Sequence, residues 1–74
     1  MLRFTATSYD VEGQRLDRYV FEMPLGTTSR RAWSEARALL GLTGVKGDFN
    51  RNEWKPRGMG GLYVHLECAY VLRA

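Results

Sequence analysis

Few side chains in this sequence can move a proton or attack a bond. His65 is its single histidine and Cys68 its single cysteine. With an unperturbed pKa near neutrality, His65 is the natural candidate for a general acid or base. Joined to Arg57 or Arg18 as a phosphate-stabilising cation, it would make a small endoribonuclease. Against this, His65 stands between Tyr63 and Glu67 on the outward side of an alternating stretch. A histidine there is ordinarily a solvated β residue, and no second catalytic group converges on it in the sequence. Cys68 falls on the inward side of the same stretch, where a buried thiol acts as a small hydrophobe, because nucleophilic attack needs exposure and a lowered pKa. One cysteine and one histidine exclude an intramolecular disulfide and a zinc site built from several such ligands. No metal and no cofactor is expected, and a reducing compartment is the simpler setting.

Binding chemistry is richer. Residues 46 to 61, KGDFNRNEWKPRGMGG, interleave Phe49, Arg51, Trp54, Lys55 and Arg57. Such a mixture can stack bases and meet phosphates, and Trp and Arg are equally the commonest anchors at protein interfaces. A third role for Trp54 is to fold back and close the edge of a small core. Gly58, Gly60 and Gly61 precede a strand pattern instead of opening a helix after one, so they match no phosphate-binding fingerprint and license only flexibility. Met59 among them is either an exposed apolar contact or a residue tucked under the helix. Arg30 and Arg31 carry a separate signal: two cations in the first turn of a helix oppose its dipole, at about 0.3 kcal/mol or more each. A local conflict of this kind marks a contact site, unless Glu35 pairs with Arg31 one turn later and both are simply solvated. The expected binding set is therefore Arg30, Arg31, Arg51, Trp54, Lys55 and Arg57. The alternative is the outer sheet face, where Tyr9, Arg18, Tyr63 and His65 would form a stacking platform for RNA or DNA.

The elements that position these residues follow from the pattern. Residues 2 to 9 and 16 to 23 alternate as two strands around Val11-Glu12-Gly13-Gln14, where Gly13 suits a two-residue hairpin turn. Setting Leu2 against Met23, Phe4 against Phe21 and Ala6 against Tyr19 makes one face apolar. Arg3 then meets Glu22, Thr7 meets Arg18, Tyr9 meets Leu16 and Asp10 meets Arg15, whereas a slip by one residue would mix charges into the core. Thr27-Thr28-Ser29 offers N-caps for a helix over 29 to 40, with Trp33, Ala36, Leu40, Ala32 and Leu39 on one stripe. Trp33 on this stripe is read as core. Gly41 suits the C′ position and Leu42 the contact after it. Residues 62 to 72 alternate Leu62, Val64, Leu66, Cys68, Tyr70 and Leu72 inward against Tyr63, His65, Glu67, Ala69, Val71 and Arg73 outward. The stretch from Phe49 to Lys55 is expected to be an irregular or edge strand, because Phe49 and Trp54 would point to opposite faces of one continuous strand. The fold class is α+β: an antiparallel sheet of three or four strands with one helix packed on one face, ββαβ or ββαββ.

All 74 residues belong to one small domain, near the lower limit for folding without disulfides or metal. Eleven Lys and Arg against eight Asp and Glu leave a net charge of +3. The positive charge gathers between residues 27 and 61, while residues 1 to 26 are slightly acidic. No apolar run approaches the roughly 20 residues of a membrane span, and MLRFTATSYD holds no apolar signal core. A soluble cytoplasmic protein is expected, with no membrane partner.

The size, the absence of a catalytic constellation and the order of hairpin, helix and strand resemble the small anti-CRISPR and related counter-defence proteins of phages and mobile elements. The resemblance spans the whole chain as architecture and rests on no diagnostic motif. It implies a non-enzymatic inhibitor in the host cytosol that blocks a larger protein or ribonucleoprotein complex by stoichiometric binding. Arg30, Arg31, Arg51, Lys55 and Arg57 would dock on an acidic protein patch or on bound nucleic acid. The basic balance departs from the acidic members that mimic DNA. An open sheet edge would also suit a homodimer.

Overall fold

The computed structural model describes residues 1 to 71. Its elements are β1 (Leu2–Tyr9), β2 (Arg15–Met23), α1 (Ser29–Leu39), β3 (Gly47–Asn50), β4 (Glu53–Pro56) and β5 (Tyr63–Tyr70). The strands form one antiparallel sheet in the order β2-β1-β5-β4-β3. The class is α+β, and the strand count is corrected to five. Leu72 and Arg73, at the end of the last expected strand, lie outside the described residues. Among the described residues no helix is long and apolar enough to cross a membrane.

The first hairpin has the register that its alternation demands: Leu2 faces Met23, Phe4 faces Phe21, Ala6 faces Tyr19, and Thr7 faces Arg18. Its turn differs from expectation. Asp10 and Gln14 close a loop of Val11, Glu12 and Gly13, with the Gly13 N–H donating to the Asp10 carbonyl at 3.0 Å and Gly13 at φ +82°. The Asp10 carboxylate accepts from the Glu12 and Gln14 N–H groups, each at 2.9 Å, a side-chain cap that favours this longer loop. The extra residue is absorbed by a bulge between Ser8 and Tyr9, so Tyr9 faces Arg15 and not Leu16.

The helix is delimited by its caps. The Arg31 N–H donates to Thr28 Oγ1 at 3.2 Å. At the other end Leu42 and Gly41 donate back to the carbonyls of Arg37 and Ala38 at 2.8 and 3.1 Å, the paired bonds that a C′ glycine permits. Leu42 is buried, as its position after Gly41 requires. Ala32, Trp33 and Ala36 form one core cluster with Phe4, Ala6, Trp54, Val64 and Leu66. Leu39, expected on the same stripe, is exposed, one step round the helix from Ala36.

The expected irregular element is a second hairpin. The chain reverses at Arg51 and Asn52, so Phe49 and Trp54 become cross-strand partners on one face. Opposite orientation holds only for a strand that runs straight through. β4 joins β5 through Glu53 with His65 and Trp54 with Val64, and the Leu66 N–H closes the ladder on the Asn52 carbonyl at 2.9 Å. Among the described residues no strand pairs with this side of β5 beyond Leu66. Cys68 faces Phe4 on the core side, yet it is exposed, and Tyr70 beyond it is 62% exposed. The alternation was therefore right about the face and wrong about the cover.

Candidate functional site

Two open clefts meet where the first turn of α1 approaches the β3–β4 turn. The larger, about 460 Å³, is lined by Ser29, Arg30, Trp33, Arg37, Phe49 and Arg51. The second, about 300 Å³, runs on past Leu2, Phe4, Leu66 and Cys68, and the two share Ser29, Trp33 and Arg51. Helical spacing brings Arg30, Trp33 and Arg37 onto one face. The second hairpin supplies Phe49 and Arg51.

The larger cleft has an aromatic wall. Trp33 meets Phe49 edge-on with ring centroids 5.2 Å apart, and Phe49 leans on Trp54 at 6.1 Å. The Arg37 guanidinium lies 5.4 Å from the Trp54 ring and 5.9 Å from the Phe49 ring, so the quadrupoles of both rings hold the cation in place. Its buried Nε has no hydrogen-bond partner. Among the described residues no carboxylate lines this cleft, and the first turn of α1 contains no acid. Arg30 and Arg51 therefore bring positive charge to the N-terminal end of α1, and Arg37, in its last turn, adds to it at the far end of the cleft. Arg51 has φ +59° and is the only non-glycine residue with positive φ among the described residues. A side chain held there costs about 1 kcal/mol, and strain of this sort concentrates at functional positions.

The expected binding set is divided by the fold. Arg30 and Arg51 come together in the cleft. Arg31 is exposed outside its lining and forms no ion pair with Glu35 among the described residues. Trp54 is fully buried and takes the structural role. Lys55 sits on the opposite face, opposite Asp48 and 3.9 Å from Glu53. Arg57 is bound to Asp48 by contacts of 2.6 and 3.2 Å. Chiefly through that hydrogen bond, Arg57 holds the Asp48 carboxyl below its ordinary value, and Asp48 in turn raises Arg57. Sequence reasoning missed Arg37 and the lining role of Trp33. Their spacing from Arg30, three and four residues apart in succession, was the available signal.

The alternative set is assembled on the outer face. Tyr9 and Tyr63, cross-strand partners, stack at 5.1 Å, and His65 stands edge-on to Tyr9 at 5.5 Å. His65 Nε2 lies 3.0 Å from the Glu53 carboxylate, a pairing that fixes the imidazole's orientation. Arg18 is exposed one strand away, across Thr7 from His65. Met59 is 40% exposed. Gly61 serves packing and not flexibility alone, since a Cβ there would approach Val11 to 2.8 Å.

Comparison with protein-family models, with curated proteins and with solved structures gives no match for this chain.

Proposed function

We propose that this is a non-enzymatic binding protein that seats an acidic segment of a larger protein or nucleoprotein complex in the arginine cleft. The observation that carries this reading is the convergence of Arg30, Arg37 and Arg51 on one aromatic wall with no carboxylate among the lining residues. Guanidinium groups grip carboxylates and phosphates through paired N–H donors, and Phe49, half exposed at 52%, supplies an apolar anchor of the kind found at interface centres. In this reading α1 packs on the core face of the sheet, which places its arginines beside the second hairpin. Stoichiometric occupation of a site on a cytoplasmic machine is the mode of action implied by the resemblance to anti-CRISPR-type inhibitors. The cleft would serve that mode without any chemistry of its own.

A second reading is favoured by the ring cluster on the outer face. Tyr9, Tyr63 and His65, with Arg18 nearby, would stack and hold single-stranded nucleic acid. Fluorescence anisotropy separates the two, using labelled polyglutamate and labelled single- and double-stranded RNA and DNA at low and physiological salt. The cleft reading predicts polyglutamate binding that weakens with salt and falls at least about tenfold with Arg51→Glu, while Tyr63→Ala leaves it unchanged. Nucleic-acid binding lost on Tyr63→Ala and kept by Arg51→Glu would transfer the function to the outer face. RNA cleavage abolished by His65→Ala would replace both readings with the nuclease.

A further inference from the structure

The longest open edge of the sheet belongs to β2, its outermost strand. Backbone parity fixes where its groups point. The Val71 N–H donates to the Met1 carbonyl, whereas the Leu66 N–H donates away from β1, to Asn52. Odd-numbered residues of β5 therefore bond to β1, odd residues of β1 bond to β5, and even residues of β1 bond to odd residues of β2. The even-numbered residues Arg18 and Val20 then turn their N–H and C=O groups away from β1. Arg15–Met23 contains no lysine or proline, its bulge lies at the turn end, next to Tyr9, and its charges are of both signs, Arg15 and Arg18 against Asp17 and Glu22, so they deter an unlike strand but can pair with a second copy of this one. It also exposes Leu16 at 54%, Tyr19 at 38% and Val20 at 55%.

We propose that β2 pairs antiparallel with β2 of a second copy about a twofold axis through Val20, joining the two sheets into one. The register follows from the side chains. A twofold axis normal to the sheet brings like faces together. With Val20 on the axis, Arg18 stands opposite Glu22 of the second copy and Tyr19 opposite Phe21, each pair occurring twice. Moving the axis to Arg18 sets two guanidinium groups together, and moving it to Asp17 sets two carboxylates together. An axis at Tyr19 places Asp17 against Phe21, and one at Phe21 places Val20 against Glu22. An axis at Leu16 would pair Arg15 with Asp17 but centres on the bulge, so within the regular part of the strand the Val20 axis is the one that forms opposite-sign pairs, Arg18 with Glu22, while Asp17 falls against Met23 at the rim. Glu22 meets Arg3 of its own chain at 3.4 Å, and the second copy's Arg18 would lie beside the same carboxylate. Because β2 and β3 are at opposite edges of the sheet, the arginine cleft stays open in each copy.

Light scattering on a sizing column and sedimentation equilibrium test this directly. The wild type should show twice the mass of one chain, and Val20→Lys and Arg18→Glu should each return it to the monomer with an unchanged circular dichroism spectrum. In a Cys68→Ser background, mild oxidation should crosslink the Val20→Cys protein and leave the Tyr19→Cys protein uncrosslinked, because only position 20 faces itself. This second arm decides the register even where Val20→Lys fails to fold. A monomeric mass up to millimolar concentration, a dimer indifferent to Val20→Lys, or equal crosslinking at positions 19 and 20 would overturn the proposal.

Discussion

The two hairpins of this protein are specified in different ways. The first joins strands of eight and nine residues whose alternation and charge pairs agree on one register, broken only by the bulge beside the turn. The second joins strands of only four residues each, and its two aromatic residues make sense only once the turn between them is placed. Trp54 is fully buried. A Cβ on Gly47 would come within 2.5 Å of both the Trp54 indole nitrogen and the Lys55 carbonyl oxygen. The long hairpin is thus set by local rules, and the short one by an anchor that reaches the core. The arginine cleft is built on the short one.

This contrast can be broken most severely at its anchor. Trp54→Ala should cost about 3–5 kcal/mol, a large part of the stability of so small a domain, and denaturant unfolding followed by circular dichroism would measure it. Glycine substitutions separate the two hairpins further. Gly47→Ala should cost about 1–3 kcal/mol through overpacking against Trp54. Gly13→Ala in the first hairpin meets only the Tyr63 hydroxyl at 3.6 Å, so its cost is the backbone strain of positive φ, about 1 kcal/mol. Removing the helix cap with Thr28→Ala should cost about 1 kcal/mol and loosen the turn that carries Arg30. The smallest effect belongs to the Asp48–Arg57 pair, whose side chains are 68% and 66% exposed and screened by solvent. The folded-state pKa of Asp48 is lowered, so its contribution is complete above the ordinary carboxylate range and is lost as the pH falls through it. Urea midpoints measured across that range should fall slightly more steeply for the wild type than for Asp48→Asn.

Legibility in the sequence followed the same division. The pairing of Phe4 with Phe21, the helix ends at Thr28 and Gly41, and the apolar positions Trp33 and Ala36 were readable because each depends on neighbours a few residues away. The bulge at Tyr9 was not, since the Asp10 carboxylate chose a longer turn than the glycine alone suggested. The exposure of Cys68 was hidden because alternation reports a face and says nothing of how far the cover extends. Arg30 and Arg51, singled out from a charge conflict and from composition, both line the cleft. Arg37 stands in the last turn of α1, where a cation suits the helix dipole, so its sequence position gave no sign of its second role, stacking on Trp54. Lys55 and Arg57 were grouped with them by proximity in sequence, which a hairpin scatters across two faces.

Whether the arginine cleft binds an acidic segment can be read from backbone amide shifts of the labelled protein during titration with a polyglutamate peptide. The largest changes should fall on Ser29, Arg30, Trp33 and Arg37 and on Phe49 and Arg51, and should vanish in the Arg51→Glu protein. Changes centred on Tyr9, Tyr63 and His65, or no changes at low salt, would contradict binding in the cleft.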